Sequence, residues 1–102
     1  MSISTLIRKI IEEFSLQEEQ VVVNKNRYNS NLGTIKISSS IPLGILNNTV
    51  SRFYKESGFG IEAFDGFFNF ARGDDNYLVG TYNCNGEIIL DISRNHFFSL
   101  SL

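Results

Sequence analysis

Apolar positions in the first stretch of the chain recur at helical spacing. Ile3, Leu6, Ile7, Ile10, Ile11 and Phe14 fall on one side, while Arg8, Lys9, Glu12 and Glu13 fall on the other. That pattern predicts an amphipathic helix of about three or four turns. Ser2 or Ser4 is placed to cap it, because a serine hydroxyl accepts a hydrogen bond from a free first-turn N–H. Two cations and two anions share the polar side, so the helix is expected to pack on a sheet and not to lie on a membrane.

The period then changes to two. Val21-Val22-Val23 is β-branched, Asn29-Ser30-Asn31-Leu32-Gly33 is a turn cluster, and Thr34-Ile35-Lys36-Ile37-Ser38 alternates apolar with polar. Together they predict a hairpin over about residues 20–39. A second helix opens at Ser40-Ile41-Pro42, where proline's missing N–H has no helical partner to lose. Its stripe is Leu43, Leu46, Val50, Phe53 and Tyr54, with Lys55 near the end and Gly58 as the expected glycine cap.

The rest of the chain reads as strands. Asp65-Gly66 separates Ile61–Phe64 from Phe67–Phe70, and a two-residue turn there sets Phe64 opposite Phe67. Ile61, Ala63, Phe68 and Phe70 then share the expected core face, and Glu62, Phe64, Phe67 and Asn69 share the other. A helical period through Ile61, Phe64, Phe68 and Ala71 competes, but Gly66 would weaken such a helix by about 1 kcal/mol. Asn85-Gly86 is a stronger hairpin signal. It pairs Asn83 with Ile88, Thr81 with Leu90 and Val79 with Ile92 on the core face, leaving Tyr82 opposite Ile89 and Gly80 opposite Asp91. Phe98, Leu100 and Leu102 alternate with polar residues, which predicts a last strand at the sheet edge.

The expected order is therefore α-β-β-α-β-β-β-β, with that final edge strand in addition. The fold class is α+β: a mainly antiparallel sheet of about five to seven strands with two helices on one face, in a single domain over residues 1–102. The length suits one domain. The chain is 42% hydrophobic and 13% aromatic, which excludes a disordered class. No apolar run approaches the ~20 residues of a membrane span, and the start lacks the basic and apolar regions of a secretory signal. The single cysteine, Cys84, leaves no internal disulfide, so a cytoplasmic location is expected.

Catalytic and metal chemistry find little footing. One histidine, His96, and one cysteine cannot build a structural zinc site. Asp74-Asp75-Asn76 lacks the length and glycine of a calcium loop and reads as solvated. Spacing gives no reason for Cys84 and His96 to meet. Gly58-Phe59-Gly60 is too short for a dinucleotide fingerprint, and nothing resembles a phosphate loop or a nucleophile elbow. Glu62 with Asp65, or Asp74 with Asp75, are neighbouring carboxylates of the kind turns usually carry. The expectation is a protein that is not an enzyme and uses neither cofactor nor metal. Nucleic acid is not an expected partner either: nine cations against eleven anions form no basic footprint, and Lys25, Arg27 and Lys36 beside Tyr28 read equally well as a local patch on the first hairpin or as charges protecting an edge strand.

One asymmetry changes the picture. Between Glu56 and Ser93 lie seven acids and a single cation, Arg72, a formal charge of −6 against −2 for the whole chain. The same region, extended back to Phe53, holds six of nine phenylalanines and three of four tyrosines. A core-building hairpin with an acidic rim accounts for this in part. The predicted register also leaves Phe64, Phe67 and Tyr82 off the core face, and large side chains exposed together mark interaction sites. The expected function is a small acidic immunity or inhibitor protein that neutralises a toxin or nucleic-acid enzyme by direct binding. Glu62, Asp65, Asp74, Asp75, Glu87 and Asp91 would supply charge, with Phe64, Phe67 and Tyr82 as anchors. The expected partner is thus a protein with a basic surface, met by a monomer or homodimer. Two other readings are open: a small-molecule-binding domain with an aromatic pocket, and a secretion-type chaperone that binds by strand addition.

Overall fold

The structure, a computed structural model, describes residues 1–95. His96 and the anticipated last strand lie outside the described residues. Helix α1 (Ile3–Phe14) is followed by a single 3-10 turn at Glu18–Gln20, strands β1 (Val21–Lys25) and β2 (Gly33–Ile37), helix α2 (Leu43–Glu56), and strands β3 (Gly60–Phe64), β4 (Phe67–Arg72), β5 (Asp75–Cys84) and β6 (Glu87–Arg94). All six strands form one antiparallel sheet in the order β1-β2-β6-β5-β4-β3. The fold is α+β with the expected order of elements.

Local chemistry places the elements. Ser2 caps α1, its hydroxyl accepting from Thr5 N–H at 3.2 Å. Pro42 precedes the first residue of α2. At the far end Gly58 takes φ +89°, Gly58 N–H donates to Lys55 O, and Phe59 N–H donates to Tyr54 O. These two bonds close a Schellman motif, and the hydrophobic contact that accompanies it is the edge-on packing of Phe59 against Tyr54 at 5.2 Å. That closure turns the chain directly into β3. Residues 60–72 are a hairpin, not a helix, with Phe64 opposite Phe67 and Ala63 opposite Phe68. The Asn85-Gly86 hairpin has the anticipated register, and both turn residues have positive φ, as a type I′ turn requires.

Both helices cover the same face of the sheet. Ile3, Leu6 and Ile10 of α1 and Leu46, Val50, Phe53 and Tyr54 of α2 pack on Ile35, Ile37, Phe70, Tyr77, Val79, Ile88, Leu90 and Ile92. Each such aliphatic or phenyl side chain, fully buried, contributes about 1.5–3 kcal/mol relative to exposure. Two core assignments need correction. Ala63 is exposed and Asn83 is exposed, although each has core-face parity. Ala63 lies on the outermost strand and Asn83 near the tip of the β5–β6 hairpin, so burial fades there even though the alternation persists. Thr81 is half-buried and donates to Asn47 of α2 at 2.6 Å.

Candidate functional site

The sheet has a second face, turned away from both helices, and the register orders it into rows. Val22, Lys36, Ile89 and Tyr82 stand side by side. The next row runs Asn24, Thr34, Asp91, Gly80, Phe67 and Phe64. A third runs Ser93, Leu78, Asn69 and Glu62. Because opposed residues in antiparallel strands share a face, the predicted site residues Glu62, Phe64, Phe67, Tyr82, Glu87 and Asp91 all lie on this outer face.

The aromatic residues there are open to solvent. Phe64 is 42% exposed, Phe67 36% and Tyr82 52%. Phe64 and Phe67 stack across the hairpin with centroids 5.0 Å apart and planes 20° from parallel. Beside Phe67 the sheet carries Gly80, which has no side chain and leaves a notch between the Phe67 ring and Asp91. A Cβ built at Gly80 would come no closer than 4.0 Å to its neighbours.

The acids divide into two groups. Glu62, Asp91 and Glu87 share the outer face, and Asp65 occupies the turn at its Phe64–Phe67 end. Asp91 accepts from Thr34 Oγ1 at 3.1 Å. Glu87 is held by Ser38 Oγ at 2.8 Å and faces Lys36 Nζ at 3.9 Å, so part of its charge is already answered. Asp74 and Asp75 are elsewhere. Asp74 is in the β4–β5 turn, and Asp75 begins β5 opposite Arg72, with the parity of the helix-covered face. They stand at the other end of β4, about 17 Å from the Phe64–Phe67 turn at ~3.4 Å per residue. The structure therefore does not bring Asp74 and Asp75 to the aromatic patch.

Residues the sequence reading did not single out complete the face. Ile89, next to Tyr82, is only 8% exposed, and Leu78 is half-buried. Asn69 is buried and accepts from Asn95 Nδ2 at 2.8 Å. Lys36 brings a cation to an otherwise acidic region. The available signal was the mixed character of the Tyr82–Ile89 face, too apolar for a solvated surface. Lys25, grouped with Arg27 and Lys36 in the sequence, instead donates from Nζ to Ser4 Oγ at 2.6 Å.

The remaining surface offers open clefts. One of about 390 Å³ lies between α1 and β1, lined by Ile7, Ile11 and Val21, and one of about 300 Å³ runs along β3 on the outer face, lined by Gly60, Glu62, Asn69, Ala71 and Asn76. The aromatic residues inside the protein fill their space with one another: Tyr54 stacks on Phe70 at 4.3 Å, and Phe59 lies 5.8 Å from Tyr77. Among the described residues, no three histidine, cysteine, aspartate or glutamate side chains converge as metal ligands, and no helix is long and apolar enough to cross a membrane. Comparison with protein-family models, with curated proteins and with solved structures returns no match for this chain.

Proposed function

We propose that this chain is a non-enzymatic interaction protein that binds a basic protein through the outer face of its sheet, neutralising a toxin or a nucleic-acid enzyme as an immunity protein or inhibitor does. The observation that carries the reading is the grouping of Phe64, Phe67 and Tyr82 on one exposed face with Glu62 and Asp91 among them. Exposed rings supply anchors that become buried on binding, and surrounding carboxylates steer a cationic partner and raise the association rate. The Gly80 notch suits a lysine or arginine side chain, which would meet the Phe67 ring on one side and the Asp91 carboxylate on the other. An exposed, free Cys84 fits a reducing compartment, and we place the protein in the cytoplasm.

Glu62, Phe64, Asp65, Phe67, Tyr82, Glu87 and Asp91 form the proposed surface. The packed aromatic core and the open clefts support this reading over an internal ligand pocket.

The test is capture from the native host with the whole protein as bait, read by mass spectrometry and repeated with Glu62→Lys combined with Asp91→Lys. A basic protein should be retained by the parent chain and lost from the variant. With that protein purified, Phe67→Ala should weaken binding by about 30-fold, equivalent to ~2 kcal/mol for an anchor residue. Retention that ignores both changes rejects the surface.

A further inference from the structure

We propose that the partner completes its contact with this face as an added strand along β3, carrying a cationic side chain opposite Glu62; the inference rests on the outer-face reading above and names its binding mode. Among the described residues, β3 pairs with β4 on one side and ends the sheet on the other. The register shows which of its backbone groups look outward. Phe64 and Phe67 close a two-residue turn, and the closing pair of such a hairpin exchanges both main-chain hydrogen bonds. The alternation gives Glu62–Asn69 and Gly60–Ala71 the same role. It directs the N–H and C=O groups of Ile61 and Ala63 away from β4.

The two sheet edges differ in protection. Natural edges are guarded by lysine, proline, bulges or covering segments. On β1, Lys25 reaches Ser4 of the first helical turn of α1. On β3, the sequence Gly60-Ile61-Glu62-Ala63-Phe64 contains neither lysine nor proline, its pairing to β4 runs without a bulge, and four of the five residues are exposed. The cleft of about 300 Å³ beside it opens on the outer face next to Glu62, so a side chain from an added strand has space there.

Charge selects the occupant. Glu62 forms no ion pair among the described residues. A second copy of the chain added in the register centred on β3 would set Glu62 against Glu62, and like charges directly opposite destabilise a pair of strands. A strand with lysine or arginine at that position gains instead. Main-chain bonds to Ile61 and Ala63 supply affinity, and the residue facing Glu62 supplies selectivity.

The probes are two capped seven-residue peptides, one alternating valine with lysine and one alternating valine with glutamate. The readout is amide hydrogen exchange across the full, isotopically labelled chain. The lysine peptide should slow exchange at Ile61 and Ala63 about tenfold once nine-tenths of the protein is occupied, because only the free tenth then exchanges. The glutamate peptide should leave both unchanged. Glu62→Lys should reverse that preference without touching the backbone. Ala63→Pro, at a site whose N–H points outward, should keep the fold and abolish the protection. Absence of slowing at millimolar peptide, equal response to both peptides, slowing at β1 in place of β3, or self-association of the free protein through β3 overturns the inference. The outcomes also separate the two readings. If host partner capture is lost with the Glu62→Lys and Asp91→Lys pair but survives Ala63→Pro, the face stands and the added strand falls. Capture indifferent to all three changes removes the face itself.

Discussion

At Tyr54 a single ring ties together the helix end, the chain reversal and the sheet. It is parallel to Phe70 within 2° at 4.3 Å, and it meets Phe59 edge-on. Burial holds its phenol well above the ordinary value of 10.0, with the nearby Tyr77 adding in the same direction. The consequence appears only in alkali. Below the unfolded phenol's pKa both states keep the proton, and the contribution to stability is complete. Above it the unfolded chain releases the proton while the folded chain retains it, so stability falls by about 1.4 kcal/mol per pH unit for this group. Denaturant titrations from about pH 9 to 12 should show that decline, made shallower in Tyr54→Phe, which keeps the stacked ring and removes the ionising group. Equal slopes in the two proteins would remove Tyr54 as the cause.

Within the elements, backbone proximity matters as much as side-chain packing. Gly33 opens β2 at φ +153°, paired with Lys25 on one side and Ile92 on the other. A Cβ there would stand 2.5 Å from Asn24 O and 3.0 Å from Lys25 Cα. Both are main-chain atoms and cannot swing aside. Gly33→Ala should therefore destabilise by about 1–3 kcal/mol, within the range of overpacking and backbone strain, read as a lower denaturation midpoint with unchanged slope. Much of this level was legible in the residues. Ser2, Gly58 and Asn85-Gly86 act through local rules, and each stands where those rules require, while Pro42 stands one residue ahead of the helix it was expected to open. The two tight turns also fixed the register that exposes Phe64, Phe67 and Tyr82. What alternation does not encode is which strands become neighbours. Nothing in Ile35 or Ile37 announces Leu90 and Ile88 as partners, and nothing in Asp74 or Asp75 reveals that they sit at the far end of β4 from the aromatic rings. The charge asymmetry of the sequence was accordingly broader than the site it marked.

For the molecule as a whole, the strand order sets the energetics. Among the described residues the first hairpin pairs with the later strands through β6, which lies between β2 and β5, and its loop adds a hydrogen bond from Asn31 Nδ2 to Tyr77 Oη of β5 at 2.9 Å. α1 and α2 are also joined by an Arg52–Glu13 ion pair, but exposed pairs of that kind contribute about 1 kcal/mol or less. A chain stopped after Gly86 keeps both helices and five strands yet lacks Ile88, Leu90 and Ile92. It should lose cooperative unfolding, measured by calorimetry, and a sharp transition in that fragment would contradict the central role of β6. During synthesis, then, the nascent polypeptide emerges as two halves with their apolar sides uncovered. Their union waits until the wedge that belongs between them has left the ribosome.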